Sequence, residues 1–271
     1  MVALESGVCV CLAGWNGPDC TFPDAVWDTH IFHVWYAAGL IKRRARPRTV
    51  INGLILDHQL DLLEIRVKEL GDAVDCYIIV ESNYTYFGTA SRSICRQPYM
   101  QGFLREYAHK IIPLAVTVFD YGDANPWAPA KNLRSYLWQE CQKQLNGLQE
   151  DDIIVMTDVD QIPSRDVLLF LKHHDGYGEP VSFNLRSFLY GFFWESKRPT
   201  RMRGACTVEF LRNGYNNDTS LLHNVHTYFV TPLSRYTGTV NREWTITGSA
   251  PRYSGWLCSW CYDAHGIQVR R

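Results

Sequence analysis

From Thr49 onward the chain alternates apolar, β-branched runs with stretches patterned at helical spacing, and this alternation restricts the available folds more than any other feature. Thr49–Leu56 reads as a strand, and Gln59–Leu70 follows with Leu60, Leu63, Val67 and Leu70 on one helical face. Ala73–Val80 is a second strand ending at Glu81, Ile111–Phe119 a third and Ile153–Thr157 a fourth. Helices are expected over Lys131–Leu145 and from a Ser164 cap to about His173. Strands separated by helices form right-handed βαβ units, so the expectation is an α/β fold on a mostly parallel central sheet. Beyond Glu179 the segments shorten and grow rich in Tyr, Trp and Gly. That predicts an antiparallel or irregular subregion over one end of the sheet.

With 271 residues the chain can bury enough surface for one large α/β domain or two small ones. A net charge of -1 gives no reason to bind a polyanion, so nucleic acid is not an expected partner. Nine cysteines are many for a reducing cytosol, and sequons stand at Asn83-Tyr84-Thr85 and Asn217-Asp218-Thr219. Together they favour the secretory pathway, with Asn83 and Asn217 as expected glycosylation sites. No apolar run is long enough to span a bilayer, since Ala25 to Ile41 is broken by Asp28, His30 and His33. Met1-Val2-Ala3-Leu4-Glu5 is not a signal peptide, so an entry signal or membrane anchor is expected on a segment outside this chain.

Residues 9–20 read Cys-Val-Cys-Leu-Ala-Gly-Trp-Asn-Gly-Pro-Asp-Cys, a pattern that resembles the second half of an EGF-like module. The resemblance implies a Cys11–Cys20 disulfide, with the partner of Cys9 upstream. Residues 1–21 are then a partial EGF-like segment. Residues 22–48, ending in Lys42-Arg43-Arg44-Ala45-Arg46-Pro47-Arg48, read as a linker, and 49–271 as the main domain. Cys258-Ser259-Trp260-Cys261 has no second C-x-x-C to make a zinc site. Its two cysteines are expected to form disulfides with other partners, Cys206 among them.

The stretch Ile153-Ile154-Val155-Met156-Thr157-Asp158-Val159-Asp160-Gln161-Ile162-Pro163 carries the chemistry. In extended chain residues i and i+2 face the same side, so Asp158 and Asp160 are expected to converge at the carboxyl end of a strand. Ligands of open α/β sheets bind at those ends. Two carboxylates there suit a hard cation, Mn²⁺ or Mg²⁺, bridging to a diphosphate that they would otherwise repel. A repelling pair also predicts that neutralising either Asp leaves the ligand-free fold no less stable.

The chain resembles glycosyltransferase family 17, the β-1,4-mannosyl-glycoprotein 4-β-N-acetylglucosaminyltransferases that add a bisecting GlcNAc to N-glycans. The marks are Gly14-Trp15-Asn16-Gly17-Pro18-Asp19-Cys20, Asp61-Leu62-Leu63-Glu64-Ile65-Arg66 and Glu81-Ser82-Asn83-Tyr84-Thr85. Asp158 to Pro163, Ser187 to Trp194 and Gly255 to Cys261 complete them in order. The resemblance implies a GT-A-like nucleotide-diphospho-sugar fold, an inverting reaction, a UDP-GlcNAc donor and the core mannose of a glycoprotein N-glycan as acceptor. It further implies a type II membrane protein facing the Golgi lumen. Gln161 stands where the family usually has Glu, and the family continues past the point where this chain stops, so a C-terminal truncation is expected.

Inverting transfer needs a base for the acceptor hydroxyl. The sequence leaves it open among Glu81, Asp166 and Glu179, with Asp175, Glu195 and Glu209 also in view. Arg186, Lys197, Arg198 and Arg201 are cations that could steady a diphosphate. A sugar- or partner-binding relative without activity and an EGF-type interaction module are the competing readings.

Overall fold

Among the described residues ten strands join in one sheet, and its spine is the set of apolar runs. Val50–Leu56 (β1), Cys76–Ser82 (β2), Ile111–Val116 (β3) and Ile153–Met156 (β4) are parallel, in the order β4-β1-β2-β3. Gln161–Pro163 (β5), Val181–Leu189 (β6), Trp194–Glu195 (β7), Thr200–Thr207 (β8), Trp244–Ile246 (β9) and Gly255–Ser259 (β10) extend the sheet beyond β4. The full order is β5-β10-β6-β8-β4-β1-β2-β3, with β7 and β9 also paired to β6. The helices are Asp24–Trp27 (α1), His30–Ala37 (α2), Leu60–Leu70 (α3), Ala128–Gln144 (α4), Arg165–His173 (α5), Val208–Asn213 (α6) and Thr219–His223 (α7). This computed structural model describes residues 2–3, 9–57, 59–82, 102–116, 128–223 and 243–261.

The central strands are largely apolar, with Asn52 in β1 and Glu81 in β2 as buried exceptions, because both faces of the sheet are covered. Along β1, Val50, Leu54 and Leu56 enter one core with Leu63, Val67 and Leu70 of α3 and Val167, Leu168 and Phe170 of α5. Ile51 and Ile55 enter a second core with Leu133, Leu137 and Trp138 of α4 and Phe210 and Leu211 of α6. In β4 the same alternation sends Ile153 and Val155 to the first core and Ile154 and Met156 to the second.

β8 runs antiparallel to both β4 and β6, and β10 runs parallel to β6. The carboxyl ends of β1–β4, β6 and β10 therefore share one edge. Here the region beyond Glu179 differs from expectation. It lengthens the main sheet instead of lying over one end, because Val181, Phe183 and Leu185 of β6 and Met202 and Ala205 of β8 supply buried faces that match β4. Ser164 stands at the N-cap position of α5, but no side-chain cap forms; the Ser164 N–H donates to the Ser254 carbonyl at 2.8 Å.

Residues 22–48 do more than connect. Phe22, Ala25, Val26, Phe32 and Ile41 lie in the first core, with the Phe22 ring 5.1 Å from Phe32 and 5.2 Å from His174. The Cys11–Cys20 disulfide closes a loop next to this segment, and the Asp24 N–H donates to the Gly14 carbonyl at 2.9 Å. Among the described residues no helix is long and apolar enough to cross a membrane.

Candidate functional site

Continuing the alternation of β4 by two residues directs Thr157 toward α3 and Asp158 toward α4 and α7. Arg66 of α3 meets the first. It is fully buried and its Nη2 donates to Thr157 Oγ1. Its Nη1 donates to the Asp158 carbonyl at 3.0 Å and the Gln161 carbonyl at 2.7 Å, and its Nε to Asn52 Oδ1 at 2.9 Å. Burial lowers the Arg66 pKa to about 10, against the opposing pull of Tyr77, Asp160 and Asp158. One guanidinium thus fastens both ends of the Asp-x-Asp segment from beneath.

The segment itself is a turn. The Gln161 N–H donates to the Asp158 carbonyl at 3.0 Å, and the Val159 side chain is buried in the first core. The extended geometry expected from the i, i+2 spacing is thereby replaced. The turn reverses the chain so that β5 can pair antiparallel with β10, and the Cys258 N–H donates to the Asp160 carbonyl at 3.0 Å. Gly255 permits the approach. At φ +152° it sits where a Cβ would lie 2.3 Å from the Ile162 carbonyl oxygen.

On the other face Asp158 meets two N–H-bearing side chains. Arg134 Nη2 of α4 donates to its Oδ1 at 2.8 Å, and His223 Nε2 of α7 lies 3.3 Å from its Oδ2. Burial opposes the charge of Asp158, but His223 and then Arg134 outweigh it and hold the carboxyl far below the usual carboxylate range. Gln161 completes the arrangement. Its Oε1 accepts the Asp158 N–H at 3.1 Å and lies 3.3 Å from His223 Nε2. A carboxylate could accept the same N–H, so the turn does not depend on the amide.

Among the described residues no three His, Cys, Asp or Glu side chains are grouped as a metal cage. A Mg²⁺-type cation does not require one, because it is commonly held by one or two carboxylates together with substrate phosphates and water. Asp158 and Asp160, both partly exposed hard-oxygen donors at the sheet's carboxyl edge, fit that chemistry.

The model of Glycosyltransferase family 17 matches residues 29–266. The chain belongs to this family. It is 35% identical over 266 residues to the Homo sapiens and Rattus norvegicus proteins named "Beta-1,4-mannosyl-glycoprotein 4-beta-N-acetylglucosaminyltransferase". The alignments cover 97% of this chain and 49% and 48% of those relatives, so it spans about half their length.

Within this family 17 chain the other candidates from the sequence are dispersed. Glu81 is buried near the carboxyl end of β2, on the same edge as Asp158. Glu179 is placed at the opposite edge. It accepts from the Thr207 N–H and, at 3.0 Å, from the Thr207 hydroxyl, where β8 pairs with the first residue of β4. Burial raises its pKa. Asp166 opens α5, beyond the end of β5 that pairs with Gly255, and contacts Arg165 at 3.2 Å. Asp175 pairs with Arg44 and Arg48, Arg186 with Glu195, and Arg201 with Glu243.

Asn83 lies outside the described residues. Asn217 is exposed, and its Oδ1 accepts from Trp138 Nε1 at 2.9 Å. Cys258 and Cys261 are bonded to each other and not to separate partners, and Cys206 is buried and free. The turn through Ser259 and Trp260 brings the pair together, whereas Cys206 is committed to the second core. Arg66, Arg134 and His223 went unmarked as site residues. Only Arg66 carried a signal, as the last residue of Asp61 to Arg66.

Proposed function

We propose that this chain transfers N-acetylglucosamine from UDP-GlcNAc to the core β-mannose of N-glycans, in β-1,4 linkage and with inversion. The observation that carries the reading is the Asp158–Gln161 turn, fixed by Arg66 at the carboxyl edge of the sheet, in a family 17 chain. Asp158 and Asp160 would hold a divalent cation, Mn²⁺ or Mg²⁺, which when bound offsets the charge of the diphosphate leaving group. Arg134 and His223 add N–H donors on the same side, and Arg66 holds the backbone carbonyls of Asp158 and Gln161 that frame the turn. Of the three proposed bases, Glu81 alone shares this edge. A GT-A-like fold is supported by the parallel run β4-β1-β2-β3 with the antiparallel β8 beside it. The compartment we propose is the Golgi lumen, with anchoring by a segment outside this chain and glycans on Asn83 and Asn217.

A second reading, a sugar-binding relative without transferase activity, draws on one observation. Both oxygens of Asp158 are already engaged by Arg134 and His223. Mass spectrometry of an N-glycan acceptor incubated with UDP-GlcNAc separates the two. The proposal predicts addition of one N-acetylhexosamine, abolished by EDTA and restored by Mn²⁺. Metal-dependent UDP binding without transfer would favour the second reading, and neither binding nor transfer would reject both.

A further inference from the structure

The hairpin joining β6 to β7 exposes a ridge of aromatic rings. Tyr190 is 63% exposed, Phe193 93% and Trp194 70%, with Phe192 beside them. Contiguous apolar patches on a soluble surface usually mark a contact. The base of the ridge is firmly built. Phe192 meets Phe188 edge-on at 5.4 Å, and Arg186, stacked 5.2 Å from the Phe188 ring, makes a two-pronged bond to Glu195 at 2.6 and 2.7 Å.

A second observation comes from the backbone. Leu189 pairs with Ser259 in the parallel ladder of β6 and β10, so Tyr190 and Trp260 are the next residues on neighbouring strands. Both are aromatic, and both have left-handed backbones, at φ 60° and 58°. The Tyr190 N–H donates to the Ser259 carbonyl at 2.9 Å, and the Cys258–Cys261 disulfide brackets Trp260. A left-handed backbone is strained for any residue but glycine, and such strain concentrates at functional sites. Two of them stand side by side where β6 and β10 end.

The place is also specific. β6 and β10 end at the edge that carries Asp158, and the Asp160 carbonyl bonds Cys258, two residues before Trp260. Exposed Lys197 and Arg198 follow β7. Apolar ring faces bordered by charged hydrogen-bonding groups match a pyranose, which has a C–H face and a hydroxyl rim. We propose that Tyr190, Phe193, Trp194 and Trp260 form the platform that receives the acceptor saccharide of the N-glycan. This inference rests on the function proposed above.

The test uses Phe193→Ala, Trp194→Ala and the double variant, whose rings are exposed and whose removal leaves the core intact. Binding of a released N-glycan without UDP is read by saturation-transfer NMR, and UDP with Mn²⁺ is titrated separately. Each ring lost should weaken glycan binding about two- to tenfold, with UDP affinity unchanged. Unchanged glycan binding in the double variant would overturn the platform. So would unchanged glycan binding together with loss of attachment to phosphatidylcholine vesicles, or loss of a dimer in sedimentation, which would give the ridge to a lipid surface or a second copy. Should wild type fail to bind UDP yet lose glycan binding in the variants, the platform stands and the donor assignment falls.

Discussion

Replacing Arg66 with Met is the perturbation that probes most of the site at once. Met keeps length and apolar volume and removes every donor. Four acceptors then lose a donor: Asn52 Oδ1, Thr157 Oγ1 and the carbonyls of Asp158 and Gln161. At about 1 kcal/mol net per bond, and more for a charged donor, the loss is roughly 4–6 kcal/mol. Against this, burial disfavours the guanidinium charge. Lowering its pKa from 12.5 to about 10 corresponds to roughly 3 kcal/mol that Met recovers. The balance is a destabilisation of about 1–3 kcal/mol, or a fall in Tm of roughly 2–10 °C for a chain of this size. The Asp-x-Asp turn would loosen far more than the core, because it would lose the one guanidinium that ties the Asp158 and Gln161 carbonyls to α3. Titration of UDP with Mn²⁺, well below the lowered Tm, should show affinity reduced more than tenfold. Arg66→Lys, which keeps the charge but not the fork that spans both carbonyls, should recover Tm more than affinity. Unchanged UDP affinity in Arg66→Met would refute the idea that Arg66 positions the turn.

Three further outcomes follow from the same geometry. Asp158→Asn should lower the stability of the ligand-free protein by about 1–2 kcal/mol at neutral pH, contrary to the expectation from a repelling carboxylate pair that the fold would be no less stable, because Arg134 and His223 lose an anion that is only partly screened. The folded pKa of Asp158 lies below its unfolded 3.8, so this stability is present above pH 3.8 and fades as pH falls below it; denaturant curves across the acid range should show the wild-type advantage shrinking there. Glu179 has the opposite sign: its folded pKa lies above 4.5, so it binds protons more tightly when folded and wild-type stability declines as pH rises past 4.5, a slope that Glu179→Gln should flatten in the same measurement. Asn217→Gln should abolish one glycosidase-sensitive mass shift in secretory expression, and should cost about 1–3 kcal/mol in unglycosylated material because the Trp138 N–H loses its acceptor.

The elements of the fold were legible wherever burial is two-sided. β1, β2 and β4 announce themselves as mostly apolar runs rich in Ile, Val and Leu, and α3 by its Leu and Val spacing. What escaped was pairing at long range. Nothing local says that β6 and β8 continue the main sheet, because strand order is decided by which faces complement each other after folding. The Asp-x-Asp was visible by residue type and by its place after β4, but its turn was not, since that depends on Arg66 from a helix 92 residues earlier. Arg134 and His223 gave no signal at all, because scattered basic side chains look alike until α4 and α7 bring them together. The Cys258–Cys261 bond was obscured for a related reason: cysteine spacing constrains which pairings are open and leaves the choice to the backbone between them.

The most direct test is transfer by Asp160→Asn, which leaves the Arg134–Asp158–His223 contacts in place. With UDP-GlcNAc, an N-glycan acceptor and Mn²⁺, the account predicts a rate on the order of a hundredfold below wild type, at a Tm within a few degrees of it. Metal-dependent transfer at the wild-type rate would contradict it and reduce the Asp-x-Asp to an ordinary turn.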